Sequence, residues 1–274
     1  VWSRAIACAV LVACGGAKKP VASDTGGGSG SDGSGSSALP TPGAAFDYQL
    51  GGAYTPPAGV TVVSRDRSAT PASGLYNICY VNGFQIQPDE ASWWQAQHPD
   101  LILRDAGGNP VIDPDWNEML IDVSTPAKRS AVAAIESGWI DGCKQAGFDA
   151  VEIDNLDSYS RSQGLLTADN AVAAMRLFAD HAHADHLVIA QKNTSELVVR
   201  RADLGTDFAV AEECNHYQEC GTYTAGYGNY VLVIEYAQAD LDAGCANFPQ
   251  LSIVLRDRNL VTPGQAGYVY GRCP

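Results

Sequence analysis

The stretch "GFDAVEIDNLDSY", from Gly147 to Tyr159, sets four acids, Asp149, Glu152, Asp154 and Asp157, in and around a short apolar run. In a strand, successive side chains point to opposite faces. Ala150, Glu152 and Asp154 then share one face, while Val151 and Ile153 share the other. Two carboxylates so placed repel each other, so stability alone does not account for them.

Strand-like runs recur on both sides of this stretch. They span residues 46–50 (FDYQL), 60–65 (VTVVSR), 75–81 (LYNICYV), 119–123 (MLIDV), 148–154 (FDAVEID), 187–192 (LVIAQK), 207–212 (DFAVAE), 230–236 (YVLVIEY) and 251–256 (LSIVLR). Helical patterns lie between several of them. One runs from Thr125, an expected N-cap with Pro126 in the first turn, to Gly147; another is Ala-rich and is capped by Thr167. Repeated strand–helix units predict a parallel sheet with helices outside, an α/β (β/α)8 TIM barrel. Such a barrel has eight strands and the runs number nine, so one lies outside it.

Polar residues close or follow many of these runs: Asp66, Asn82, Asp122, Asp154, Lys192, Glu212, Glu235 and Asp257. In a parallel barrel all C-terminal strand ends open on one rim, where active sites are built. Several acids on different strands therefore predict a polar pocket ringed by carboxylates. Lys192 holds Asp154 ionised or forms a structural ion pair. Asp66 and Asp122 bind a ligand or cap the following helices. Glu235 shares a face with Val231 and Val233 and is expected to point into the barrel. Asn155 and Asn193 hydrogen-bond a ligand or shape turns. Tyr48, Tyr80, Tyr159, Tyr217 and Tyr236 sit near strand ends or in following loops, where aromatic faces stack on a ligand or simply fill core. His181, His183 and His186 end a helix, where partial positive charge is favourable, and are not read as metal ligands. There is no P-loop, Gly-x-Gly-x-x-Gly or Gly-x-Ser-x-Gly elbow.

The front of the chain has a different composition. Residues 1–13 carry Arg4 and an apolar stretch, and Leu11-Val12-Ala13-Cys14 resembles the bacterial lipobox. The resemblance implies a lipoprotein signal peptide over 1–13, lipidation of Cys14, and a bacterial cell-envelope lipoprotein, held in the outer membrane if the cell has one. Residues 14–43, rich in Gly and Ser, have almost nothing to bury and are expected to be a flexible tether. Residues 44–274 are one domain's worth of chain. The remaining cysteines, 79, 143, 214, 220, 245 and 273, are even in number and read as disulfides in an exported chain. Cys214 with Cys220 and Cys245 with Cys273 are the expected pairs; Cys79 and Cys143 bridge or stay as buried thiols. With 17 basic and 31 acidic residues, a net charge of −14, the chain is not a nucleic-acid binder. The same charge serves solubility, or gathers a cationic ligand.

The opening segment resembles "GFDGVEPDNxDxY" of the glycoside hydrolases of family 114, the endo-α-1,4-polygalactosaminidases. "YQL" at 48–50, "ICYVNG" at 78–83, "LID" at 120–122, "KN" at 192–193, "DFAVAEEC" at 207–214 and "VIEY" at 233–236 follow in that family's order. The resemblance implies a (β/α)8 barrel that cuts internal α-1,4 linkages of galactosamine-rich polysaccharide; no cofactor or metal is expected, and the chain is expected to be a monomer. It also implies Asp154 as nucleophile and Glu212 as acid/base; beside them, Asp66, Tyr80, Asp122, Glu152, Asn155, Lys192, Asn193, Glu235 and Tyr236 are the candidate substrate-binding residues read from the strand ends. The protonated member needs a raised pKa, and Glu152 and Glu235 are expected to push that way. Retention and inversion both remain open. Three departures matter. Ile153 replaces a Pro, on the helix-facing side. Ala211 replaces an Asn, which leaves the sugar open if that Asn binds its 2-substituent. Glu213, beside Glu212, leaves the acid/base open by one residue. Other readings are a hydrolase of another glycan on the same barrel and a non-catalytic carbohydrate-binding surface protein.

Overall fold

The computed structural model describes residues 38–274; the expected signal peptide, Cys14 and most of the expected tether lie outside the described residues. In chain order the elements are β1 (Phe46–Gln49), β2 (Val62–Asp66), β3 (Tyr76–Asn82), β4 (Gln85–Ile86), α1 (Ala91–Gln97), β5 (Met119–Leu120), α2 (Pro126–Ala146) and β6 (Ala150–Asp154). They continue with α3 (Ala168–Ala184), β7 (Val188–Lys192), α4 (Arg201–Leu204), β8 (Phe208–Glu212), α5 (Cys220–Tyr227), β9 (Val231–Glu235), α6 (Gln238–Asn247), β10 (Ser252–Arg256) and β11 (Tyr270–Arg272).

The main sheet runs β1-β2-β3-β6-β7-β8-β9-β10-β11, parallel throughout except for β11. The eight parallel strands form a nearly closed (β/α)8-type barrel. Its seam lies between β10 and β1, where the buried Arg256 guanidinium reaches the Tyr48 carbonyl and the Asp47 carboxylate. The run at 119–123 is the one outside the barrel. Its first two residues pair antiparallel with β4 in a separate two-stranded sheet, because the chain makes an excursion between β3 and α2. No helix separates β1 from β2 or β2 from β3 among the described residues.

Alternation sorts the side chains into layers. Phe46, Tyr48, Val62, Ile78, Ala150, Ala190, Val210, Ile234 and Val254 fill the barrel interior. Val81, Val151, Ile153 and Ile189 pack outward with α2 and α3 residues such as Ile140, Met175 and Phe178. Ile153 is thus helix-facing, and Gly83 is needed beside it, since a Cβ there would lie 2.4 Å from Ile153 Cγ2. The caps follow the sequence. Thr125 Oγ1 accepts from the Lys128 N–H, Gly147 ends α2 in the left-handed region at φ 95°, and Thr167 forms a capping box with Asn170.

Three disulfides fasten the frame. Cys79–Cys143 ties β3 to α2, Cys214–Cys220 closes the loop after β8, and Cys245–Cys273 ties α6 to the C-terminal strand region. Among the described residues, no helix is long and apolar enough to cross a membrane.

Candidate active site

The C-terminal ends of the barrel strands open into a cleft of about 480 Å³. Asp154 closes β6, and Asn155 turns the chain away at once in the left-handed region, φ 63°. That turn brings the Asn155 N–H to Asp154 Oδ1 at 2.8 Å, while the Tyr80 hydroxyl donates to Oδ2 at 2.8 Å. Lys192, at the end of β7, sends its ammonium to Asp154 Oδ1 at 3.4 Å and Glu212 Oε2 at 3.3 Å, and donates to the Tyr48 hydroxyl at 3.0 Å. Glu212, at the end of β8, accepts from Asn193 Nδ2 at 3.0 Å and from the Tyr236 hydroxyl. Asn193 Oδ1 accepts the Glu212 N–H at 2.8 Å, so one side chain fixes both the backbone and the carboxylate of that residue. Two acids from separate strands therefore meet across one buried cation.

The electrostatics follow from this arrangement. Burial alone would lower the Lys192 pKa, but Asp154, Glu212 and Glu152 override it and hold the ammonium charged well above the ordinary lysine value. Burial alone would raise Glu212, but Lys192, Tyr236 and Asn193 together bring it below the usual range. Glu152 lies fully enclosed one layer down, accepting from the Ser64 hydroxyl at 2.9 Å. Burial raises its pKa to about 7, against the pull of Lys192 and with the help of Asp154.

Tyr80, Asn155, Lys192, Asn193 and Tyr236 line the cleft together with Asp154 and Glu212. Asp66 lines it too, with one oxygen taken by the N–H and hydroxyl of Ser68. Glu152 has no exposure and acts on the cleft only through its neighbours. Asp122 is not on the rim, because its run left the barrel. It accepts from the Ser124 N–H and pairs with Lys128, which closes the turn into α2. Glu235 faces the helix layer with Val231 and Val233, while Leu232 and Ile234 fill the barrel. Its oxygen accepts from Asn215 N and Nδ2 at 2.9 and 3.0 Å, so it neither lines the cleft nor raises Glu212. Glu213 turns away at φ 56° and pairs with Arg258, which leaves Glu212 as the cleft carboxylate. Ala211 packs in the helix layer, so a side chain at that position does not face the cleft. Tyr159 donates to Glu196, and Tyr217 is exposed outside the cleft lining.

Sequence reasoning missed Trp116 and Glu118, which line the cleft from the excursion, and Arg258, Asn259 and Leu260, which line it from beyond β10. Their segments are turns with no periodicity; the only signal is the acid and aromatic in "DPDWNE", residues 113–118. A second cavity, about 590 Å³ beside β2, is lined by Tyr54, Arg65 and several prolines and has no carboxylate. Two groups of His, Cys, Asp or Glu are close enough to share an ion among the described residues, and neither is in the cleft. Cys214 and Cys220 of one are joined in a disulfide, and Asp141, His181 and Asp185 of the other sit on the outer helices.

Solved structures share the fold, two of them over most of both chains. Ega3 of Aspergillus fumigatus, crystallised in complex with galactosamine, is 22% identical with a TM-score of 0.69, over 88% of this chain and 100% of that one. The glycoside hydrolase domain of PelA from Pseudomonas aeruginosa is 15% identical with a TM-score of 0.53, over 82% of this chain and 98% of that one. Comparison with curated protein sequences gives no match. Shared architecture alone does not assign chemistry. The model of the glycoside-hydrolase family GH114, however, matches residues 30–274, so the chain belongs to that family and is a glycosidase.

Proposed function

We propose that the protein hydrolyses internal α-1,4 linkages of galactosamine-rich polysaccharide, with Asp154 as nucleophile and Glu212 as acid/base. The observation that carries this reading is the Lys192 ammonium touching both acids at 3.4 and 3.3 Å. Two oxygens in contact with one nitrogen at those distances are separated by at most about 6.7 Å, which covers the separation of about 5–5.5 Å suited to a covalent intermediate and little of the wider inverting range. Glu212 is held below the usual range in the free cleft, so the reading requires it to take up a proton before the first step. In that step the proton passes to the glycosidic oxygen, the anomeric C–O bond breaks, and Asp154 bonds to the anomeric carbon. In the second, Glu212 takes a proton from water, the hydroxide displaces Asp154, and both groups return to their starting states.

The choice of sugar is supported by the galactosamine bound to Ega3, a structural relative, and by the net charge of −14. A de-N-acetylated galactosaminan is a polycation, and an acidic protein attracts it through a field that salt screens. A reducing-end assay of residues 44–274 on partly de-N-acetylated galactosaminan tests the reading, with activity falling as salt or acetylation rises. Proton NMR of the first product should show the α anomer; an initial β anomer would rule out the covalent intermediate.

Delivery to such a polymer is consistent with a cell-envelope lipoprotein, anchored through Cys14 and held off the membrane by the tether. Incorporation of labelled fatty acid, abolished in Cys14→Ala, is the expected result.

A further inference from the structure

The excursion between β4 and β5 carries two side chains that the hydrolytic steps leave unused. At its tip, residues 113–118 form a turn pinned from beneath. Asp113 is fully buried, accepting from Gln85 at 2.8 Å and pairing with Arg161. The Asp115 N–H closes on Asp113 Oδ1 at 2.9 Å, the Asn117 N–H on the Asp113 carbonyl at 2.9 Å, and the Asp113 N–H on the Glu118 carbonyl at 2.8 Å. With Asn117 in the left-handed region at φ 58°, this short turn places Trp116 and Glu118 on the wall of the same cleft as Asp154.

Both side chains lack the partners that a purely structural role would supply. Trp116 is 65% exposed, the most open of the tryptophans lining or flanking the excursion. Glu118 Oε2 accepts from Asn82 Nδ2 at 3.1 Å, but no cation among the described residues lies within ion-pair distance of its carboxylate. Of the other acids lining the cleft, Asp154 and Glu212 share Lys192 and Asp157 pairs with Arg161. Asp66 also has no ion-pair partner among the described residues, and gives one oxygen to the N–H and hydroxyl of Ser68. Burial, together with repulsion from Asp154, Asp113 and Asp89, raises Glu118 to about 7. A half-buried carboxylate without a counter-charge gains most when a cation arrives. An indole face beside it adds a flat apolar surface of the kind that packs on a sugar ring.

We infer that Trp116 and Glu118 form an amino-sugar subsite on the Asp154 side of the cleft, the indole packing on one sugar ring and the carboxylate pairing with that sugar's ammonium. The inference rests on the galactosaminan reading for the identity of the sugar, and adds to it a group that distinguishes the free amine from its acetamide. An acetamide carries no charge for Glu118 to meet, and leaves the carboxylate desolvated without repayment.

The test uses Glu118→Gln, which keeps the shape and an acceptor for Asn82, and Trp116→Ala at the exposed tip. On de-N-acetylated galactosaminan, Glu118→Gln should raise KM about tenfold, the weight of one charge-assisted contact, with kcat changed less than about twofold. On N-acetylated oligomers it should leave KM where it was or lower it, since the desolvated charge is gone, whereas Trp116→Ala should raise KM on both. Equal effects of Glu118→Gln on the two substrates, or a fall in kcat without a rise in KM, overturn the inference. Binding of a galactosamine pentasaccharide to Glu212→Gln, with and without Glu118→Gln, separates this from the choice of substrate. Weaker binding in the double variant supports the subsite even if wild type does not cut galactosaminan. Equal binding, or none, ends it.

Discussion

β8 and β9 are neighbours, each five residues long, and each ends in glutamate: "FAVAE" and "VLVIE". Their carboxylates go to opposite sides of the barrel wall. The register pairs Glu212 with Ile234, so Glu235 stands one residue further along and takes the other face. Glu212 meets Lys192 in the cleft and is drawn below the usual carboxylate range, although burial opposes this. Glu235 lies in the helix layer beside the Cys214–Cys220 disulfide, with one oxygen on Asn215 and the other without a partner. Burial raises it, and Asn215 offsets only part of that rise. Tyr236, one residue on, returns to the barrel side and donates to Glu212. What makes an acid functional here is its phase on the strand relative to a buried cation, and not its place at a strand end.

The comparison breaks most visibly if the two glutamates matter equally to turnover. Glu212→Gln should lower kcat about 10³-fold or more, in line with loss of general acid/base catalysis, while Glu235→Gln stays within about threefold. Reducing-end release by the two purified variants decides this. Asp154→Asn should fall with Glu212→Gln, with galactosaminan binding retained in both.

Lys192→Met comes next. It leaves the cleft carboxylates and Glu152 without their shared cation, and breaking a buried ion pair from one side costs about 3–5 kcal/mol. A Tm lower by roughly 10 °C is expected for a domain of this size. Activity should also fall, and the alkaline limb of kcat/KM should move to higher pH, because Lys192 is the largest influence pulling Glu212 down. Tyr236→Phe removes the next one and should move the same limb in the same direction, with a smaller loss of rate. An unmoved limb in both variants would show that Glu212 is not the group titrating there.

Much of this geometry was legible in the chain. The alternation in "AVEID" put Glu152 and Asp154 on one face, and both face inward. Thr125, Pro126, Gly147 and Thr167 marked the helix ends because capping is local chemistry. Glu235 was misread because both faces of a barrel strand are apolar: Val231 and Val233 look no less like barrel interior than Leu232 and Ile234. The run at 119–123 was misplaced for a related reason, since a short strand buried under an excursion is as apolar as a barrel strand. Trp116 and Glu118 gave no periodic signal at all. Their position depends on the pairing of Asp113 with Arg161, 48 residues later in the chain, which no local pattern encodes.

The smallest expected effect is on stability, and it has opposite signs for the two glutamates. Glu235 has a raised folded-state pKa, so the folded protein holds that proton more tightly than the unfolded chain. Its contribution is complete below the ordinary glutamate pKa and is lost as pH rises through the folded value. Glu212 has a depressed pKa, so its contribution is present above the ordinary value and is lost as pH falls through the folded one. Glu235→Gln should therefore spare the protein a penalty at pH 8 that is absent at pH 4, raising Tm at the higher pH by about 2–4 °C for each kcal/mol. Glu212→Gln should do the reverse, lowering Tm near neutrality and converging on wild type in acid. Lys192 strengthens that contrast, because its charge is present throughout the range and favours only the glutamate it can reach. Thermal melts of both variants at the two pH values read the difference directly, and parallel shifts would mean that the cation does not set the two environments apart.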